Sequence, residues 1–150
     1  MIQMLLTARW IAINAHKGQT RRNKVTPYIA HVEDVVRRLR AQGADADTVA
    51  VAWLHDVIED TVVTADHLLA GGAFPAHVVR SVVTLTKTAN LDYDAYLRRV
   101  KADPVATKVK IADMLSNLSD QPTDKQIVKY ANGLLFLMDE EQCPRISVAT

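Results

Sequence analysis

A chain of 150 residues is long enough to bury one sizeable core and fits a single domain. Its hydrophobic fraction of 49% and charged fraction of 23% are ordinary for a globular protein, and a formal net charge of +1 gives no bulk field to draw a polyanion, so any anion site must come from local clustering. The single cysteine, Cys143, excludes an internal disulfide and fits a reducing compartment, and no run approaches the ~20 apolar residues of a membrane span.

Apolar residues recur mostly at helical spacing, which predicts an all-α fold. The first helix is predicted from about Ile2 to His16, closed by Gly18. Arg9 and the lack of a small-residue cleavage site separate it from a signal peptide, so the cytoplasm is the expected location. A polar, basic loop follows, KGQTRRNKVTPYI, through which Pro27 hinders a straight helix. A second helix carries Val35, Val36 and Leu39 and ends near Gly43. A third, capped by Asp47 or Thr48, contains WLHDVIEDT. Thr64 can cap a short helix that stops at Gly71. Pro75 suits the first turn of the next, with Val78, Val79, Val82 and Val83 inward. Asn90 or Asp92 starts another, carrying Tyr93, Tyr96, Leu97 and Val100. Asp103 and Pro104 open the helix that contains VKIADMLSN. The last runs from about Thr123 to Met138, and the tail EEQCPRISVAT, from Glu140 on, is expected to be frayed or loosely docked.

The third helix holds the first chemical signal. At ~100° per residue, His55, Asp56, Glu59 and Asp60 share an arc of roughly 140°, opposite Ala50, Val51, Leu54, Val57 and Ile58. Asp56 and Asp60 stand at i,i+4, like charge with like, which costs a few tenths of a kcal/mol in a bare helix. A cation would reverse that sign, so a metal site and a solvated face both remain open. His31 reads as a capping or core histidine or as a ligand. Asp113 reads as a surface acid or as a second carboxylate delivered from another helix, on one stripe with Ser116, Asn117 and Asp120. The four basic residues of KGQTRRNK read as a solvated loop or as a phosphate site.

The segments AHKGQTRR, TPYIAH, AWLHDVIEDT, VTLTK and VKIADMLSNL, over about residues 8 to 120, resemble the HD superfamily of metal-dependent phosphohydrolases. Within it, the chain is most similar to the hydrolase domain of RelA/SpoT proteins and to the small alarmone hydrolases, with a weaker echo in KYANGL at 129 to 134. The resemblance implies one HD-domain helical bundle over residues 1–150. It implies that His31, His55, Asp56 and Asp113 bind one divalent ion, usually Mn²⁺, and that Glu59 and Asp60 position and deprotonate the attacking water. Two imidazoles and two carboxylates suit Mn²⁺ or Fe²⁺, and Zn²⁺ stays an alternative.

By the same resemblance, Arg21 and Arg22 match a basic pair that cradles nucleotide, and Asn117 matches a ribose or base contact. Tyr130 matches a substrate-contacting tyrosine or fills the core. His16 and Lys87 lie in family-like segments, with capping and surface readings, while His67 and His77 match nothing and read as surface residues. Two departures stand out. Val32 replaces a usual proline, and Ser119 replaces an arginine that helps bind phosphate or base, which puts substrate preference in doubt. The implied activity removes the 3′-pyrophosphate from guanosine tetra- or pentaphosphate. Without a synthetase motif the chain is expected to hydrolyse the alarmone and not to make it. The rivals are another 3′-phosphorylated nucleotide, such as an adenosine analogue, and a non-catalytic nucleotide sensor or antitoxin partner. The intact Glu59-Asp60 pair argues against the latter. The expected partner is a small nucleotide, with no membrane and no nucleic acid, and the sequence leaves oligomeric state open.

Overall fold

Helix starts follow the side chains that the sequence offers as caps. The computed structural model describes residues 1–138. Among them are α1 (Ile2–Ala15), α2 (Ile29–Ala41), α3 (Ala46–Leu54), α4 (Val57–Asp60), α5 (Ala65–Ala70), α6 (Ala76–Leu85), α7 (Tyr93–Lys101), α8 (Pro104–Leu118) and α9 (Asp124–Leu137). Extended backbone pairs only at an isolated bridge between Thr20 and Pro27, so the described residues are all-α. No helix among them is long and apolar enough to cross a membrane. Cys143 and the tail from residue 140 lie outside the described residues.

Thr64, Asp92, Asp103 and Thr123 each accept a first-turn backbone N–H, satisfying donors that a helix start leaves unpaired. Thr64 and Thr123 close reciprocal capping boxes, the first with His67, which gives that residue a local structural role. Gly18 and Gly43 follow α1 and α2 at φ +82° and +74°, where a side chain would be strained. Two boundary expectations and one burial expectation are corrected. The cap of α3 is Asp45, whose carboxylate accepts from the Thr48 N–H at 2.8 Å, while Thr48 itself is buried. Pro75 is the N-cap of α6 and precedes its first turn. Val83 is exposed, whereas Val78, Val79 and Val82 face the core.

The third helix differs most from its sequence reading. It packs against α1, α2, α6 and α8. Thr48 through Leu54 are all buried, as suits a helix with neighbours on every side. Burying each of its Val and Leu side chains contributes roughly 1.5–3 kcal/mol. The helix stops at Leu54, His55 and Asp56 form a turn, and the four-residue α4 follows. The His55 ring nitrogen Nδ1 lies 2.7 Å from the Ala52 carbonyl, one of the acceptors left open where a helix ends. One continuous helix with a single acidic arc is therefore replaced by a break. His55 joins the buried interior, and Glu59 and Asp60 stay exposed.

On the far side, α9 lies across α7 and α8. Gly133 permits the close approach, since a Cβ there would sit 2.7 Å from Met114 Cε. That approach brings Lys129 and Tyr130 to a cavity that the acids of α4 also line.

Candidate metal centre and its cavity

Three elements deliver the convergent ligands: α2 brings His31, the turn after α3 brings His55 and Asp56, and α8 brings Asp113. His31 Nε2 lies 2.9 Å from Asp113 Oδ1 and 3.9 Å from Asp56 Oδ2. His55 Nε2 lies 2.9 Å from Asp56 Oδ2 and 3.8 Å from Asp113 Oδ1. Separations of about 3 Å are the edges of a coordination sphere whose ligands stand roughly 2.1 Å from a central ion. His31, His55 and Asp56 offer ligand atoms within 4.8 Å of one another, and Asp56, Glu59 and Asp60 form a second such group.

The ring orientations are fixed from behind. Ser116 Oγ is 3.0 Å from His31 Nδ1, and the Ala52 carbonyl accepts from His55 Nδ1. These contacts turn each Nε2 inward, toward the Asp56 and Asp113 carboxylates. His55 Nε2 is buried and makes no aligned hydrogen bond, although Asp56 Oδ2 is only 2.9 Å away. A lone pair facing carboxylate oxygens repels them unless a proton or a cation lies between. In these surroundings, burial alone would push the His55 imidazole down, but the Asp56 and Asp113 charges outweigh it and raise its pKa well above the usual value. Burial likewise would raise Asp56, yet the His55 charge beside it holds that carboxyl at about 2. The pocket thus selects for positive charge, and two imidazoles with two carboxylates could hold a divalent ion.

Asp113 has further partners. Lys110 Nζ donates to its Oδ2 at 2.7 Å, and Asn117 Nδ2 donates to its Oδ1 at 2.9 Å. Burial would raise the Asp113 carboxyl, but the Lys110 ammonium holds it well below the usual carboxylate range. These groups open on a cavity of about 230 Å³. Glu59 and Asp60 line it together with Lys87, Lys110 and Lys129, and Asn117 and Tyr130 also face it. Glu59 accepts from the Lys87 backbone N–H, while no hydrogen bond is made to the Asp60 carboxylate among the described residues. Burial, then the Asp56 charge, raises Asp60 above an ordinary aspartate; burial also raises Glu59.

The basic loop stands differently. Arg21 donates to Asp120 Oδ2 at 2.9 Å and to Asn117 Oδ1 at 3.0 Å, so it reaches the cavity lining through Asn117. Arg22 donates to Gln126 and to backbone carbonyls after α8, and does not line the cavity. Both side chains tie the loop to α8 and α9. Arg38 of α2 donates to Ser119 Oγ at 3.2 Å. His16 is buried at the end of α1 against Gln19, and His77 pairs with Asp47 at the surface.

Tyr28 was not singled out in the sequence, though TPYIAH contains it. Its hydroxyl donates to Asp56 Oδ2 at 2.6 Å. Burial, then the Asp56 charge, pushes the phenol far up, so it remains a donor at every working pH. Tyr28→Phe is expected to keep the fold and weaken metal affinity about 10-fold, the usual scale for a group that orients a ligand. Metal titration of the purified variant checks this, and unchanged affinity would reduce the contact to packing. Lys110 and Ser116 were likewise not proposed as site residues. Each sits three residues from Asp113, on adjacent turns of α8, and that spacing is the signal that could have found them.

An all-helical bundle that gathers His, His-Asp and a distant Asp about one point is the architecture of a metal-dependent phosphohydrolase domain. The chain belongs to the HD domain family, whose pattern matches residues 8–120. It is 36% identical over 124 residues to mouse guanosine-3′,5′-bis(diphosphate) 3′-pyrophosphohydrolase MESH1, covering 77% of this chain and 68% of that protein. It is 41% identical over 87 residues to the Vibrio cholerae guanosine-3′,5′-bis(diphosphate) 3′-pyrophosphohydrolase, covering 57% of this chain. The chain spans only 12% of that relative's length, and 15% of its Aquifex aeolicus counterpart. The solved structure of a metazoan ortholog of SpoT that hydrolyzes ppGpp superposes with a TM-score of 0.70 at 25% identity, over 89% of this chain and 83% of that one.

Proposed function

We propose that this chain is a one-domain, Mn²⁺-dependent hydrolase that removes the 3′-pyrophosphate from guanosine 3′,5′-bis(diphosphate), working in the cytoplasm. The observation that carries the reading is the meeting of His31, His55, Asp56 and Asp113, two of which, Asp56 and Asp113, line a cavity together with Glu59 and Asp60. Relatives named for this reaction, one of them matched over 68% of its length, support the substrate.

A divalent ion in this donor set supplies Lewis acidity and a lowered pKa for water. The protein's own groups do the rest. Glu59, held by the Lys87 N–H, and Asp60 beside it accept the proton of the attacking water. The water oxygen bonds to the phosphorus nearest the sugar. The bond from that phosphorus to the 3′-oxygen breaks, and the 3′-oxygen leaves as a hydroxyl, taking a proton from solvent. Lys110 keeps Asp113 charged and in place. Asn117 offers an amide to the cavity, oriented by Arg21. The products are GDP and pyrophosphate.

Purified protein with Mn²⁺, Fe²⁺, Zn²⁺ or no metal, set against guanosine and adenosine nucleotides phosphorylated at 3′, 5′ or both, tests the reading. Release of pyrophosphate and GDP from the guanosine 3′,5′-bis(diphosphate), greatest with Mn²⁺, is expected. Cleavage confined to nucleotides without a 3′-phosphate would end the alarmone reading.

A further inference from the structure

We propose that Lys129 is a specificity-determining residue that binds the second phosphorylated arm of the substrate, the 5′-phosphates. The inference rests on the nucleotide reading of the site and adds a contact that the proposed chemistry does not use.

The argument begins with space. The cavity holding the acids has a volume of about 230 Å³. Pockets that enclose small molecules run to roughly 300–1,000 Å³, so a nucleotide phosphorylated on two arms must extend beyond it. A second cavity of about 380 Å³ lies between α7 and α9. The two share two lining residues, Tyr93 and Lys129. The cavity behind Arg21, by contrast, shares no lining residue with the acidic one. Lys129 therefore stands at the border of both cavities, one of which also holds Asp56 and Asp113.

Charge points the same way. Lys129 Nζ makes no ion pair and no hydrogen bond among the described residues. It stands over the ring faces of Tyr93 at 4.5 Å and Tyr130 at 5.7 Å. Ring faces steady an ammonium while leaving its three N–H donors for another partner. Lys110, which lines the same cavity, is already committed to Asp113. Slight burial and the charges of Lys110 and Lys87 depress the Lys129 pKa, and an arriving phosphate relieves that repulsion. Arg98 and Asp94 also line the second cavity, so a cation besides Lys129 borders it.

The test compares Lys129→Gln, Lys129→Arg and the wild type, Mn²⁺-loaded, on guanosine 3′,5′-bis(diphosphate) and on guanosine 3′-diphosphate, which lacks the 5′ arm. Lys129→Gln is expected to raise KM for the first about tenfold, the scale of one charge-assisted contact. KM for the second should move less than twofold, with kcat and metal content held, and Lys129→Arg should recover most of the loss. Equal changes on both substrates, or none, overturn the proposal. Equilibrium binding of GDP supplies a second readout that needs no turnover. If GDP binds the Lys129→Gln variant as well as the wild type, the anchor is wrong whatever the hydrolysis shows. If the wild type hydrolyses neither substrate but GDP binding still weakens about tenfold in Lys129→Gln, the anchor stands and the hydrolase reading falls.

Discussion

Asp113→Asn is expected to abolish metal retention and to lower turnover by at least ~10³-fold. Groups that merely orient a ligand cost about 10–100-fold when removed, and Asp113 is proposed as a ligand itself. The substitution keeps the side chain's size and takes away its charge. It also leaves Lys110, whose side chain is 17% exposed, without its counter-ion. Breaking a buried pair from one side costs about 3–5 kcal/mol, so the apo variant should melt earlier. That loss could be mistaken for a failure of the site to form. The double variant Lys110→Met, Asp113→Asn separates the two effects. Replacing both partners by groups that need no charge returns most of the stability, and the metal and the activity should stay lost. Stoichiometric Mn²⁺ retained by either variant would remove Asp113 from the ligand set.

The parts of this centre that were legible in the sequence are those in which one residue's chemistry decides its place. Asp103 ahead of Pro104, and Thr64 and Thr123 ahead of apolar runs, can hardly be anything but helix starts. His55-Asp56 followed one turn later by Glu59-Asp60 stands out as a cluster of acids with no lysine among them, which left a metal site and a solvated face both open. The helix break at His55 was not legible. Local periodicity treats 48 to 60 as one helix, and only the packing of α3 against four neighbours shows that its polar end must turn to reach α2 and α8. Tyr28 was hidden for a similar reason. Its hydroxyl matters because Asp56 lies 2.6 Å away across 28 residues of chain, and no spacing rule encodes that pair. Arg21 and Arg22, adjacent in sequence and read as one unit, both reach Asp120 but then part, Arg21 to Asn117 and Arg22 to Gln126 at the start of α9.

Glu59→Gln and Asp60→Asn should each leave the bound ion in place and lower kcat by about 10²-fold or more, the usual contribution of a positioned general base. Neither carboxylate belongs to the four-residue set around His31, yet both reach the cavity from α4. Their pH profiles should differ, because the two carboxylates are held differently. The Lys87 N–H fixes Glu59, and the charge of Asp60 is among the causes that keep its pKa up. A base must be deprotonated to act, so activity is present above its pKa and is lost as pH falls through it. Asp60→Asn removes a neighbouring negative charge, which lets the Glu59 pKa fall. If Glu59 is the base, the acidic limb of kcat/KM in Asp60→Asn therefore moves to lower pH than in the wild type. If Asp60 is the base, Asp60→Asn loses that limb altogether, and Glu59→Gln retains it. A pH–rate profile of the two variants, with metal content measured on the same samples, decides between them. Near-wild-type turnover in both would take the pair out of the chemistry and leave Glu59 and Asp60 as exposed acids beside a metal site.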